Sequence, residues 1–232
     1  MKYILIIIFC LLLQACSKVP SDLKAPQQVD NSLTLKVTKN NIPADNYSYA
    51  EISAILKKRP AANDLIVFTA DKGLFANNSN IYSVNVSSND TTKAYIKYNK
   101  AEVVRITAII FGNDTKEVYA TFLQAYPSQI LIYPDVTTLP TLFTSKSLIT
   151  AKLVRPTGMA SEGLSINFYD SAATSSLRSI GSFLNSTYSN SQGNATVEYW
   201  IQDTSYHGFV YIKGYINSDT GKVMGGNRIF IQ

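Results

Sequence analysis

Ile149-Thr150-Ala151-Lys152-Leu153-Val154-Arg155-Pro156 echoes Ile52-Ser53-Ala54-Ile55-Leu56-Lys57-Lys58-Arg59-Pro60, with one residue fewer before the Arg-Pro. In the earlier copy Ile52, Ala54 and Leu56 alternate with Glu51, Ser53 and Lys57; in the later one Ile149, Ala151 and Leu153 do the same. A period of two is the pattern of a strand with one buried face. The pair therefore predicts one strand occurring twice, about a hundred residues apart.

The echo extends along the chain. Leu33/Leu35/Val37, Ile66/Phe68, Ala94/Ile96/Tyr98, Val104/Ile106/Ala108/Ile110 and Val118/Ala120/Phe122 all alternate. Turn-forming clusters separate them at 39–45, 58–64, 71–73, 77–80, 87–92 and 112–115. In the second half Ile166/Phe168, Ala195/Val197/Tyr199 and Val210/Ile212/Gly214/Ile216 answer the same runs. The offset drifts from 97 residues at Ile52/Ile149 to 106 at Val104/Val210, as loops change length while strands keep register. Six or seven short strands in each half predict an all-β protein of two tandem β-sandwiches, with Phe68 and Phe168 in their cores. The predicted bounds are 32–124 and 125–232, joined near Ala125–Gln129. Gly225-Gly226-Asn227 reads as the turn into a last strand, Arg228–Gln232.

The order of motifs is an I-[ST]-A-x-L strand, a Pro-containing loop and an apolar strand with Phe (LIVFTADKGLF from Leu65, LSINFYDS from Leu164). An A-x-[IV]-x-Y strand and a V-x-I-x-[AG]-x-I strand follow. Seen twice, over Ser32–Phe122 and Gln129–Gln232, this order resembles the invasin/intimin type of bacterial immunoglobulin-like domain. Members of that family usually carry a glycine two residues before the A-x-[IV] strand. Gly193 stands there in the second copy and Thr92 in the first. The segment Tyr169–Asn194 exceeds its counterpart in length and is rich in Ser, Thr and Asn, which predicts an expanded loop or extra hairpin. The resemblance implies rigid, stackable domains that hold an adhesive tip away from an outer membrane.

At the other end, Leu13-Gln14-Ala15-Cys16 closes the apolar run Ile4–Leu13 behind a single positive charge, Lys2. This resembles a bacterial lipoprotein signal, in which the cysteine becomes the lipidated N-terminus. Ten residues make a helix of about 15 Å, half a hydrocarbon core, so a spanning helix is not expected. Leu13 is too large for ordinary A-x-A cleavage. Residues 1–15 are thus read as a signal peptide, Cys16 as the acylated residue (palmitate or similar), and 16–31 as a tether. Ser17–Asn31 has two prolines and no periodicity, and spans roughly 50 Å at full extension. No Asp, the usual inner-membrane retention signal, follows Cys16, which favours the outer membrane. Removing Lys2 from the 21 cations against 16 anions leaves the mature chain near +4, with its charges scattered. A nucleic-acid binder would concentrate them in a stripe, so no nucleic acid is expected.

Candidates for chemistry are few. Cys10 leaves with the signal and Cys16 carries lipid, so no thiol remains for a disulfide, a metal or a nucleophile. His207 is the single histidine; Ser205 and Asp203 lie too close in sequence to surround its imidazole. No phosphate-cradling glycine motif or clustered metal donors occur, so no metal, cofactor or enzymatic activity is expected. The 15 tyrosines are the residues most suited to recognition, through large area at low entropic cost. Tyr47, Tyr49 and Tyr82 flank turns of the first half. Tyr188 and Tyr206, in loops of the second, are the candidates for a protein or glycan ligand. Asp90-Thr91-Thr92 and Asp170-Ser171-Ala172 resemble short D-[ST]-x sites that some Gram-negative bacteria O-glycosylate. The sequence sets no oligomeric state. Two functional readings follow: a surface adhesion or spacer lipoprotein, and a periplasm-facing accessory lipoprotein that binds an envelope or secretion complex.

Overall fold

A computed structural model describes residues 33–57, 65–86, 91–110, 114–184 and 187–232. Leu13, Gln14, Ala15, Cys16 and the tether lie outside the described residues. Leu33–Gln232 forms one compact unit built around two apolar cores. The described residues contain strands and no helix, and the expected all-β sandwich is the fold the chain adopts.

The first core is enclosed by two sheets. Strands β1 (Leu33–Lys39), β3 (Ala50–Leu56), β7 (Thr91–Lys97) and β5 (Leu74–Phe75) form one, in the order β1-β3-β7-β5. Strands β2 (Ile42–Pro43), β9 (Asp114–Leu123), β8 (Val103–Ile110), β4 (Leu65–Ala70) and β6 (Ile81–Asn85) form the other, in the order β2-β9-β8-β4-β6. The chain changes sheets between β1 and β2 through Asn41, at φ 56°. Asn tolerates this left-handed conformation better than most side chains. The Thr121 amide donates to Asn40 Oδ1 at 2.7 Å, and Ile42 then pairs in parallel with Phe122. Pro43, without an N–H to offer, ends this edge strand.

The second sandwich repeats the plan. Strands β10 (Gln129–Pro134), β12 (Lys146–Val154), β15 (Asn194–Ile201) and β14 (Gly181–Leu184) make one sheet. Strands β11 (Thr138–Leu139), β17 (Gly221–Ile231), β16 (Gly208–Ser218) and β13 (Asn167–Ala172) make the other. β11 pairs in parallel with β17, as β2 does with β9. Phe68 faces Ala108 across β4–β8, and Phe168 faces Gly214 across β13–β16, so the echo there is also an echo of register.

Elsewhere the echo slips. Ile52 pairs with Ala94, but Ile149 pairs with Val197, and Ala195 meets Ala151 instead. The shift is two residues, which preserves the buried face while changing every partner. Phe168 differs from expectation as well: Phe68 is buried, whereas Phe168 is half-buried and stacks on Phe183 at 5.7 Å. The most deeply buried ring of the second core is Tyr199, 5.1 Å from Phe183. Its hydroxyl donates to Asp170 at 2.8 Å, and Asp170 also accepts the amides of Ile180 and Gly181. Burial and the nearby Asp170 carboxylate push the Tyr199 phenol well above its usual range.

Gly225-Gly226-Asn227 is not a turn. It lies inside β17, which runs unbroken from Gly221, and the hairpin turn falls before it. The glycine serves close approach: a Cβ on Gly225 would stand 2.0 Å from the Ile130 carbonyl oxygen. Asn227 then donates from Nδ2 to the Ile132 carbonyl at 2.9 Å, tying β17 to β10.

Phe68→Ala should cost about 3–5 kcal/mol, the range for deleting a buried aromatic ring, and Phe168→Ala about 1–2 kcal/mol because that ring is half-exposed. Urea titrations of the two variants check the ranking; equal losses would contradict the difference in burial.

Candidate functional site

The two cores are joined by polar groups. The segment after β12 carries Arg155, Gly158, Met159, Ser161 and Glu162 against loops of the first sandwich. Ser161 is fully buried. Its hydroxyl donates to the Ala44 carbonyl at 2.8 Å and accepts the Ala125 amide at 2.7 Å, while its own amide donates to the Ala125 carbonyl. Ser189 donates to the Ser161 carbonyl at 2.7 Å and accepts the Leu164 amide, bracing the segment from behind. To one side, the Glu162 amide donates to the Asn99 carbonyl at 2.8 Å and Asn99 Nδ2 donates to the Glu162 carboxylate at 3.2 Å.

Asp45 anchors the other side at 1 % exposure. Its carboxylate accepts the amides of Tyr47 and Ser48 at 3.0 and 2.7 Å and the Ser48 hydroxyl at 3.0 Å. Its carbonyl accepts the Met159 amide at 2.8 Å. Arg155 Nη2 stands 3.9 Å from the carboxylate, and Nη1 donates to the Tyr126 carbonyl. Gly158 fits because it has no side chain: at φ +66° a Cβ would stand 2.7 Å from the Asp45 carbonyl oxygen. Among the described residues no buried side-chain polar atom lacks a partner.

The loop that Asp45 caps forms one wall of an open groove of about 540 Å³ on the first sandwich. Tyr47, Tyr49, Tyr95, Lys39, Lys97 and Glu51 line it. Lys97 lies 5.9 Å from the Tyr49 ring, and Tyr47 is 64 % exposed. Glu51 accepts from Lys93 at 2.9 Å and from Thr38 at 2.8 Å, which together hold its carboxyl below the usual range. Rings, two ammonium groups and one carboxylate make a surface suited to polar, ring-bearing ligands.

The sequence-based candidates divide. Tyr188 is 60 % exposed and available for contact. Tyr206 is not: at 5 % exposure its hydroxyl donates to the Phe209 carbonyl at 2.7 Å and accepts the Ala173 amide, so it secures the turn into β16. Tyr82 packs half-buried on Phe68 and Phe75. Ser171 is 2 % exposed, which closes it to glycosylation in the folded chain, and Asp90 lies outside the described residues. Asp203 takes the Ser205 hydroxyl and amide and an Arg178 N–H, which lower its pKa to about 2. Its partners are thus Ser205 and Arg178, and no triad forms around His207. Among the described residues no group of three or more potential metal ligands is gathered. The junction residues Asp45, Ser161 and Ser189 carry no distinguishing signal in the sequence, each being a lone polar residue in a loop. Arg155 carried a signal, as part of the Arg-Pro echo.

No family model and no curated protein matches the chain. Solved structures do. The crystal structure of invasin, described as a bacterial integrin-binding protein, aligns with a TM-score of 0.57 at 16 % identity, over 83 % of this chain and 38 % of invasin. The fold is that of the invasin/intimin type of bacterial immunoglobulin-like domain. InvD of Yersinia pseudotuberculosis aligns at 0.46 with 16 % identity, over 87 % of this chain and 57 % of InvD. The Escherichia coli adhesin FdeC aligns at 0.40 with 12 % identity, over 87 % and 64 %. This chain therefore spans well under half the length of the invasin structure, and its pair of immunoglobulin-like sandwiches is what the two share.

Ser161→Ala removes the donor to Ala44 and the acceptor for Ala125, both at a buried contact, and should cost about 1–3 kcal/mol. Gly158→Ala should loosen the same junction, with small-angle scattering showing a broader distribution of molecular dimensions. Unchanged melting and scattering in both variants would contradict a junction closed by these groups.

The pH dependence follows from four carboxylates held below their ordinary values. Ser205 and Arg178 act on Asp203, Lys93 and Thr38 on Glu51, Lys72 and Tyr98 on Glu102, and Lys146 and Trp200 on Glu198. A depressed folded pKa contributes stability above the unfolded value and loses it as pH falls through the folded one. The melting temperature should therefore hold between about pH 7 and 5 and fall between about pH 4 and 2. A rise across the acid window would contradict the assignment.

Proposed function

We propose that this chain is a lipoprotein, anchored in the outer membrane through Cys16, that acts as a non-enzymatic adhesion or spacer module at the cell surface. The observation that carries the reading is the likeness to the immunoglobulin-like domains of invasin, together with a closed polar junction between two sandwiches. A spacer must keep its domains from folding back on one another. Hydrogen bonds from Ser161, Glu162 and Met159 to the first sandwich meet that need. Cys16, directed by the lipobox Leu13-Gln14-Ala15, supplies the attachment, and Ser17–Asn31 the reach. Recognition would fall to exposed rings such as Tyr47 and Tyr188.

The test combines two measurements on intact cells. Cys16→Ser should abolish incorporation of labelled palmitate and release the chain from the membrane fraction. Protease added outside should remove the wild-type protein while sparing a periplasmic marker. Protection under active protease would overturn surface exposure and favour the periplasm-facing accessory role, to be followed by co-purification with envelope complexes.

A further inference from the structure

We propose that the outward face of β13, β16 and β17 is a binding track for an acidic polysaccharide, a site separate from the Tyr47 groove and independent of where the chain is anchored.

The duplication supplies an internal control. By the register of both copies, Arg105 and Thr107 of β8 occupy the places of Tyr211 and Lys213 of β16. Glu117 and Tyr119 of β9 occupy those of Gly226 and Arg228 of β17. In the first sandwich Arg105 has its acid, Glu117, at 3.8 Å. In the second, Tyr211 takes the place of Arg105 and Gly226 that of the acid, while Lys213 and Arg228 are cations where the first copy has Thr107 and Tyr119. Lys222 lies further along the same face. None of the three makes an ion pair among the described residues. Asp219, in the hairpin turn, lines a recess with Arg155 and Tyr126.

Aromatic rings hold these cations in place. Lys213 Nζ sits 5.6 Å from the Tyr169 ring and 5.8 Å from Tyr211, Lys222 sits 3.5 Å from Tyr215, and Arg228 sits 4.6 Å from Phe209. A ring under a cation fixes its position without consuming its N–H donors on a carboxylate. The counterpart of Tyr169 in the first copy is Thr69, so the ring came with the charge. Phe209 and Phe230, edge to face at 5.1 Å, close one end of the row.

The shape selects the occupant. Alternate pairs from Phe209/Phe230 to Asn217/Lys222 follow one ribbon for about 27 Å. That is a narrow line of positive charge on a pleated surface, with the bare Gly226 at its middle. Tyr169, Lys213 and Tyr215 are half-buried, and the exposed apolar residues of the face, Phe209, Tyr211, Met224 and Phe230, alternate with Lys213, Lys222 and Arg228 rather than forming one apolar patch of the kind that enters a bilayer. A linear chain with an anion on its sugar rings matches the row with its charges and the intervening rings with its C–H faces.

The full chain, purified in non-ionic detergent, would be tested with polygalacturonate, neutral dextran, phosphatidylglycerol vesicles and single-stranded DNA. Polygalacturonate should bind in a salt-sensitive manner and dextran should not. Lys213→Ala with Arg228→Ala should weaken binding by about tenfold or more, with an unchanged melting temperature, while Arg105→Ala leaves it intact. Gly226→Glu restores the acid of the first copy and should abolish binding; its Cβ would lie 3.3 Å from the Ile212 carbonyl, so its melting is checked in parallel. No binding of polygalacturonate, or binding indifferent to Lys213 and Arg228, would overturn the proposal. Tighter capture of vesicles or DNA through the same two residues would also overturn it.

Discussion

The constraint on which the two-sandwich arrangement depends is that a buried polar group must find its partner. Ser161 has no exposed surface, and its hydroxyl is satisfied only by the Ala44 carbonyl and the Ala125 amide. One partner lies in the first sandwich and the other in the connection, so separating the sandwiches breaks the bond to Ala44 and leaves both the Ser161 hydroxyl and the Ala44 carbonyl without the partner they have here. Apolar contact between domains tolerates sliding, because it has no direction. Hydrogen bonds at 2.7–2.8 Å do not, and a short run of them fixes an angle that a small greasy patch would leave loose.

The cores and the surfaces follow different rules. Inside, the copies keep alternating apolar residues and paired strands, down to Phe68 on Ala108 and Phe168 on Gly214. Where the interior departs, it does so with full compensation: Tyr199 brings a hydroxyl into the second core, and Asp170 accepts it together with the amides of Ile180 and Gly181 at the start of β14. Outside, the same strand positions carry unrelated chemistry, an Arg–Glu pair in one copy and unpaired cations over rings in the other. Surface positions of a sandwich are nearly free of folding constraint, which is where new recognition can arise without disturbing the fold.

Most of the fold was legible, because period-two alternation is a local signal and a duplicated chain states it twice. The losses have physical causes. Period two does not distinguish a register from the one two residues away, so Ile149 could be matched to Ile52 in sequence while pairing differently in space. β2, β5 and β11 are two residues long and carry no periodicity. Gly225-Gly226 looks like a turn because a sequence does not reveal that the Ile130 backbone passes at a Cβ's distance. Tyr206 looked like a contact residue for a related reason: a tyrosine near a turn is equally able to face solvent or to fasten the turn from inside.

The junction was the part least visible, and it bears on the groove beside it. Asp45 does two things with one residue. Its carboxylate collects Tyr47 and Ser48 and so sets the loop that walls the groove, while its carbonyl receives Met159 of the second sandwich. Asn46, at φ 55°, completes the bend between these duties. The position of Tyr47 is therefore not a property of the first sandwich alone: the backbone that carries it is held from below by the second. A pair of domains joined in this way presents one composite surface, whereas two domains on a free linker would present two.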